Sequence, residues 1–124
     1  PATVNWNGST FRARGNNPTV AYGYPKEGYP LWMDAVAILA DAKNVENAKL
    51  FQNFIMEPEN AALISAFARY ANGITGSAEF MPEEMRGAPE IDTPADLAEA
   101  GQFLPSCPPE ARDLYTAIWT ELQK

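Results

Sequence analysis

Apolar positions along this chain keep a helical rhythm in three places and lose it in between. In DAKNVENAKLFQNFIM, Val45, Ala48, Phe51, Phe54 and Ile55 recur near the helical period, and Asn44 stands where an N-cap belongs. In EPENAALISAFARYANG, Pro58 suits a first helical turn and Ala61, Leu63, Ile64, Phe67 and Ala68 supply an apolar face. Asn72-Gly73 reads as the C-terminal stop. The third rhythm closes the chain, where Leu114, Tyr115, Ile118, Trp119 and Leu122 form one stripe that predicts a terminal helix with Trp119 in a core.

The intervening stretches follow other rules. From Pro1 to Phe11, β-branched and aromatic residues mix with Asn, Gly and Ser, which predicts a strand end leading into a polar loop or a helix start, with Ser9 as a possible N-cap. GNNP at Gly15–Pro18 reads as a turn, Thr19–Pro25 alternates as a short strand, and KEGYP reads as a second turn. Leu31–Leu39 is apolar apart from Asp34, and periodicity leaves strand and helix equally open there. Met81–Pro109 is rich in proline and acids. It predicts a segment wrapped over a surface, with short helices near Pro82–Arg86 and Pro94–Ala100.

Composition then narrows the chemistry. At 124 residues and 46% hydrophobic, the chain has the size and apolar content of one ordinary domain. A formal charge of -7 disfavours nucleic acid and anionic membranes and favours cations. No run approaches the roughly 18 apolar residues of a membrane span. The chain opens at Pro1 with neither Met nor a signal sequence, which predicts a processed chain or a piece of something longer. With no histidine and a single cysteine, a zinc site, a Ser-His-Asp triad and an internal disulfide are all excluded, and no cofactor or metal is expected. Cys107, between Ser106 and Pro108, reads as a buried or inert thiol. Gly73 and Gly76 do not make a phosphate loop.

Several short pieces occur together in a telling order. W-x-G at Trp6–Gly8 precedes PKEG at Pro25–Gly28, then Trp32-x-Asp34, then DAKN, PEN and YAN, the last holding Tyr70. This order resembles the C-terminal portion of the periplasmic polyamine-binding proteins, solute-binding partners of bacterial ABC transporters, from about Val4 to Glu84. The resemblance implies an α/β fold, part of a two-lobed type II clamp of mixed sheets flanked by helices. Residues 1–30 would belong to the second lobe, 31–75 would complete the first, and 76–124 would return to the second. It also implies a periplasmic location, an ABC permease as partner, and a complementary N-terminal portion of the same protein. Without that portion, strand backbone groups here would lack partners.

The same resemblance points to a binding site. It implies that Trp6, Trp32 and Tyr70 wall a slot and that Asp34 takes an ammonium, because aromatic faces attract cations and a carboxylate adds a charge-assisted hydrogen bond. Ser9 stands where the family's W-x-G motif usually carries an acid, which weakens the case for a symmetric diamine. A ligand with one ammonium, such as γ-aminobutyrate, becomes competitive with putrescine or spermidine. Against these readings, tryptophans more often pack in cores, Asp34 could cap a helix or pair with Arg, and Tyr70 could be a core lid. Arg12 and Arg14 read as solvated rather than ligand-binding. The acid pair Glu83-Glu84 is the feature an enzyme would use, yet beside Pro82 it fits a solvated helix turn, and no enzyme is expected. An interaction domain with exposed aromatics is the third alternative.

Overall fold

In a computed structural model, residues 2–124 are described. The first element is a helix, α1, over Asn7–Asn16, which buries Gly8, Thr10 and Phe11. Its first turn closes on Trp6, whose carbonyl oxygen accepts from the Thr10 amide at 2.9 Å and the Thr10 hydroxyl at 3.1 Å. Trp6 is thus the N-cap position, and Ser9 lies inside the helix instead of capping it. After α1, Asn17 builds the expected turn, its side-chain oxygen accepting from the Thr19 amide and hydroxyl.

Thr19–Pro25 does not form the expected strand. Its alternation comes largely from tyrosines, and these pair by side chain: Tyr22 meets Tyr24 at 5.1 Å and Tyr24 meets Tyr29 at 4.8 Å, both edge to face. The Tyr24 hydroxyl donates to the Pro89 carbonyl at 2.7 Å, so the segment is docked on the proline-rich stretch without a ladder. KEGYP turns as expected, with Gly28 at φ 107°, where a Cβ would lie 2.6 Å from the Ala100 carbonyl oxygen. Strand β1, Tyr29–Leu31, then runs parallel to β2, Gly101–Phe103, with Tyr29 opposite Gly101 and Leu31 opposite Phe103.

Residues 32–39 adopt neither helix nor strand, and Val36 and Leu39 are exposed. Two helices follow almost without a break: α2, Val45–Met56, and α3, Pro58–Ala68. Glu57 ends one and caps the other, and Pro58 at the first position of α3 pre-sets its backbone for the helix. The N-cap of α2 falls on Asn44 as expected, with no side-chain cap bond. On α2 the inward positions are Val45, Ala48, Gln52 and Ile55, while Phe51 and Phe54 face out. On α3 the difference from expectation is larger. Small residues Ala61, Ala62 and Ser65 are buried toward the 3-10 turn at Ser77–Phe80, and Leu63, Ile64 and Phe67 are exposed, Phe67 by 87%.

Helix α3 stops at Ala68, before Asn72-Gly73, because Arg69 takes a left-handed conformation at φ 66°. Asn72 serves a different purpose: its amide donates to the Ser65 hydroxyl at 2.8 Å, and its oxygen accepts from the Ile74 amide and the Ser77 hydroxyl. The proline-rich stretch wraps as expected, through 3-10 turns at Glu83–Met85 and Ala98–Ala100. It packs Met85, Ala88 and Ile91 on Phe11 of α1. Arg14 and Arg69 flank the Phe11 ring at 5.4 and 5.7 Å.

Arg12 is exposed, in keeping with a solvated arginine, whereas Arg14 pairs with a buried acid. Arg12 Nη2 donates to the Ala68 carbonyl at 2.7 Å, and Arg14 Nη2 lies 2.8 Å from Glu90 Oε1, a carboxylate whose side chain is 0% exposed. Arg14 Nη1 donates to Glu90 Oε2, whereas Oε1 is held by charge without an aligned hydrogen bond. Nearby, burial first, and then Tyr24, Glu90 and Tyr29, push the Tyr22 phenol above its ordinary value.

The closing helix α4, Pro109–Leu122, forms as the stripe predicts, but all five stripe residues are exposed and Trp119, expected in a core, is 62% exposed. Periodicity marks a face that favours burial without supplying the surface that buries it. Cys107 is likewise exposed, not buried. The chain exposes 10204 Å², whereas a folded monomer of 13.6 kDa exposes about 6,600 Å². Apolar side chains on α2, α3 and α4 contribute to this exposed surface, among them Leu50, Phe67 and Trp119. No helix among the described residues is long and apolar enough to cross a membrane.

Candidate functional site

Three separate parts of the chain bring aromatic rings to one place. The Trp6 and Trp32 centroids lie 5.7 Å apart with planes at 83°, and Trp32 and Tyr70 lie 5.1 Å apart at 82°. Trp6 enters at the start of α1, Trp32 directly after β1, and Tyr70 after the left-handed residue that ends α3. Edge-to-face contacts at these distances are favourable in themselves. They also mean that the rings form a corner rather than opposed walls, since a slot needs about 7 Å between faces to admit a group at van der Waals distance on each side. Trp6 is 60% and Trp32 42% exposed, so both tryptophans remain accessible to solvent.

Asp34 lies two residues beyond Trp32 and is exposed. Its carboxylate has no hydrogen bond or ion pair among the described residues, unlike Glu90, so it is neither a helix cap nor an arginine partner here. It stands at a groove of about 420 Å³ that also takes in Gln52 and Asn72, with Ile55, Ile64 and Ile74 as apolar walls. None of the three aromatics lines that groove. Ser9 sits half-buried in the first turn of α1, three positions from Trp6. The amides of Asn7, Gly8 and Ser9 precede the first intrahelical bond, which runs from Thr10 to Trp6.

Two contributors were not read from the sequence. Gly8, present there only as a motif letter, packs directly on Tyr70: a Cβ would lie 2.7 Å from the ring and 2.5 Å from the Arg69 carbonyl oxygen. A glycine two residues after a tryptophan was the available signal. Arg69 orients the chain into Tyr70 through its left-handed backbone, and an arginine gives no sequence sign of that. Glu83 and Glu84 lie in a 3-10 turn, where Glu84 is 61% exposed and meets Arg69 at 3.6 Å as a surface pair. Among the described residues no group of His, Cys, Asp or Glu could hold a metal ion.

Three aromatic rings thus meet at one corner, and the unpaired Asp34 follows Trp32 by two residues. The chain belongs to the bacterial extracellular solute-binding proteins, whose family description matches residues 1–96. It is 30% identical over 97% of its length to the putrescine-binding periplasmic protein SpuD of Pseudomonas aeruginosa, and covers 34% of that protein. It is 31% identical, over 79% of its length, to the spermidine/putrescine-binding periplasmic protein of Escherichia coli, covering 28% of it. A putrescine/agmatine-binding protein of Pseudomonas aeruginosa is 22% identical over 97% of the chain. The chain therefore spans about a third of the length of the curated relatives it matches. The mixed helices and strands seen here are consistent with that family.

Proposed function

We propose that this chain forms the C-terminal part of a periplasmic solute-binding protein of an ABC importer, one that captures a small primary amine. The observation that carries the reading is the meeting of Trp6, Trp32 and Tyr70, with the unpaired Asp34 two residues beyond Trp32. An ammonium over an open ring face gains about 0.5–2 kcal/mol, and the Asp34 carboxylate supplies its charge-assisted hydrogen bond. The net charge of -7 draws cations toward the surface. That the relatives named above bind putrescine, spermidine or agmatine supports the ligand class.

In this reading the whole protein is a two-lobed clamp. Residues 1–30 and 76–124 belong to one lobe and 31–75 to the other. Support comes from the packing of Phe11 on Met85 and Ile91, the Tyr24 bond to Pro89 and the β1–β2 pairing, which tie the first segment to the third. Helices α2 and α3 pack on each other. The complementary N-terminal polypeptide covers the open apolar faces, including the groove beside Asp34, and completes the corner into a cage. Ligand contacts to both lobes then favour the closed state, which docks on a permease.

The far end of the ligand faces different chemistry. Ser9 lies in the first turn of α1, at the positive pole of the helix, which disfavours a second ammonium and favours a carboxylate. An ω-amino acid such as γ-aminobutyrate is thus a reading equal in standing to a polyamine. Calorimetric titration of the full-length protein with putrescine, spermidine and γ-aminobutyrate tests both. Heat with one of these amines, weakened at least tenfold in Asp34→Ala, is the expected result. Undiminished binding in that variant removes Asp34 from the site, and no heat with any amine removes the ligand class.

A further inference from the structure

We propose that Gly8 is a positioning residue of the amine site: its missing side chain lets the first turn of α1 seat on Tyr70, and that seat sets the whole aromatic corner. The proposal rests on reading the corner as a ligand wall. Glycine inside a helix is disfavoured relative to alanine, so its presence in the first turn of α1 calls for a packing reason. The reason is steric. A Cβ on Gly8 would fall 2.5 Å from the Arg69 carbonyl oxygen, 2.7 Å from Tyr70 Cζ and 2.8 Å from Tyr70 Cε1. The first of these is backbone and cannot swing away. Gly15, near the other end of the same helix, has no atom within 4 Å of where its Cβ would be.

The turn that contains Gly8 also holds the other walls. Thr10, two residues on and buried, donates twice to the Trp6 carbonyl, so Trp6 moves with this turn. Across the joint, Arg69 at φ 66° reverses the chain so that Tyr70 returns onto Gly8, and Arg12 of α1 ties down the Ala68 carbonyl at 2.7 Å. Trp32 touches both Trp6 and Tyr70. A displacement of α1 from the end of α3 therefore changes the Trp6–Trp32 and Trp32–Tyr70 contacts together, with no change to any residue proposed to meet the ligand.

The test uses the full-length protein and whichever of putrescine, spermidine and γ-aminobutyrate it binds best. Gly8→Ala should weaken binding by about tenfold or more, the loss of one well-placed aromatic face, and should alter the near-UV circular dichroism of the coupled rings. Gly15→Ala should leave both unchanged. If Gly8→Ala does not fold, Arg12→Gln loosens the same joint without a clash and should change the ring dichroism and weaken binding by roughly threefold. Unchanged affinity in Gly8→Ala, or a loss of affinity with the ring dichroism unaltered, overturns the positioning role. Binding that survives Trp32→Ala overturns the ligand wall itself, a separate outcome.

Discussion

Replacing Arg14 with leucine isolates the one buried charge that the fold carries among the described residues. Arg14 Nη2 lies 2.8 Å from Glu90 Oε1 and Nη1 donates to Oε2 at 3.2 Å, and no other donor reaches the carboxylate. Asn7 bonds the main-chain oxygen of Glu90, so that contact survives in every variant considered. Stranding a buried charge costs about 3–5 kcal/mol. Arg14 is itself 34% exposed, so water screens part of the pair, and a loss of about 3 kcal/mol is expected. Urea unfolding of the full-length parent, Arg14→Leu and Arg14→Leu/Glu90→Leu measures all of this. The double variant should return to within about 1 kcal/mol of the parent. A single variant as stable as the double variant, at pH 7, would refute the argument.

Two further outcomes follow from the same structure. Asn72→Ala removes the partner of two buried hydroxyls, Ser65 and Ser77, and should cost about 2–4 kcal/mol, read as a lower urea midpoint with earlier hydrogen exchange in residues 74–80. The raised Tyr22 phenol contributes stability that is complete below about pH 10 and lost as pH rises through its folded value, so Tyr22→Phe should flatten the alkaline end of the stability profile. An unchanged alkaline limb in that variant would assign the loss to another phenol.

Helices α2, α3 and α4 were legible because their apolar spacing and their prolines act within a single turn, where sequence neighbours are also spatial neighbours. α1 was legible only as a possible start, since Phe11 is its one large buried apolar residue and two glycines interrupt the pattern. The end of α3 was misjudged because Arg69, not a glycine or asparagine, takes the left-handed position. Thr19–Pro25 imitated a strand because stacked tyrosines alternate as strand residues do. The nearness of Trp6, Trp32 and Tyr70 was invisible to periodicity and came only from the W-x-G, PKEG and YAN pieces read together. Phe67 and Trp119 show the reverse: their rhythm is plain, yet what covers such a face is not written in its spacing.

The closure between Tyr24 and Pro89, Arg14 and Glu90, and Asn7 and Glu90 joins positions 65, 76 and 83 apart. Drawing such ends together costs about 1.7–1.9 kcal/mol more than closing a loop of roughly ten residues. The turn between α2 and α3 meets no such barrier, because Glu57 alone connects them. Order of assembly follows from that asymmetry, with the helical pair able to form on local contacts while the α1 joint waits for the distant segment to arrive. The aromatic corner, drawn from positions 6, 32 and 70, spans that divide, so its two tryptophans are natural reporters of the final step of folding.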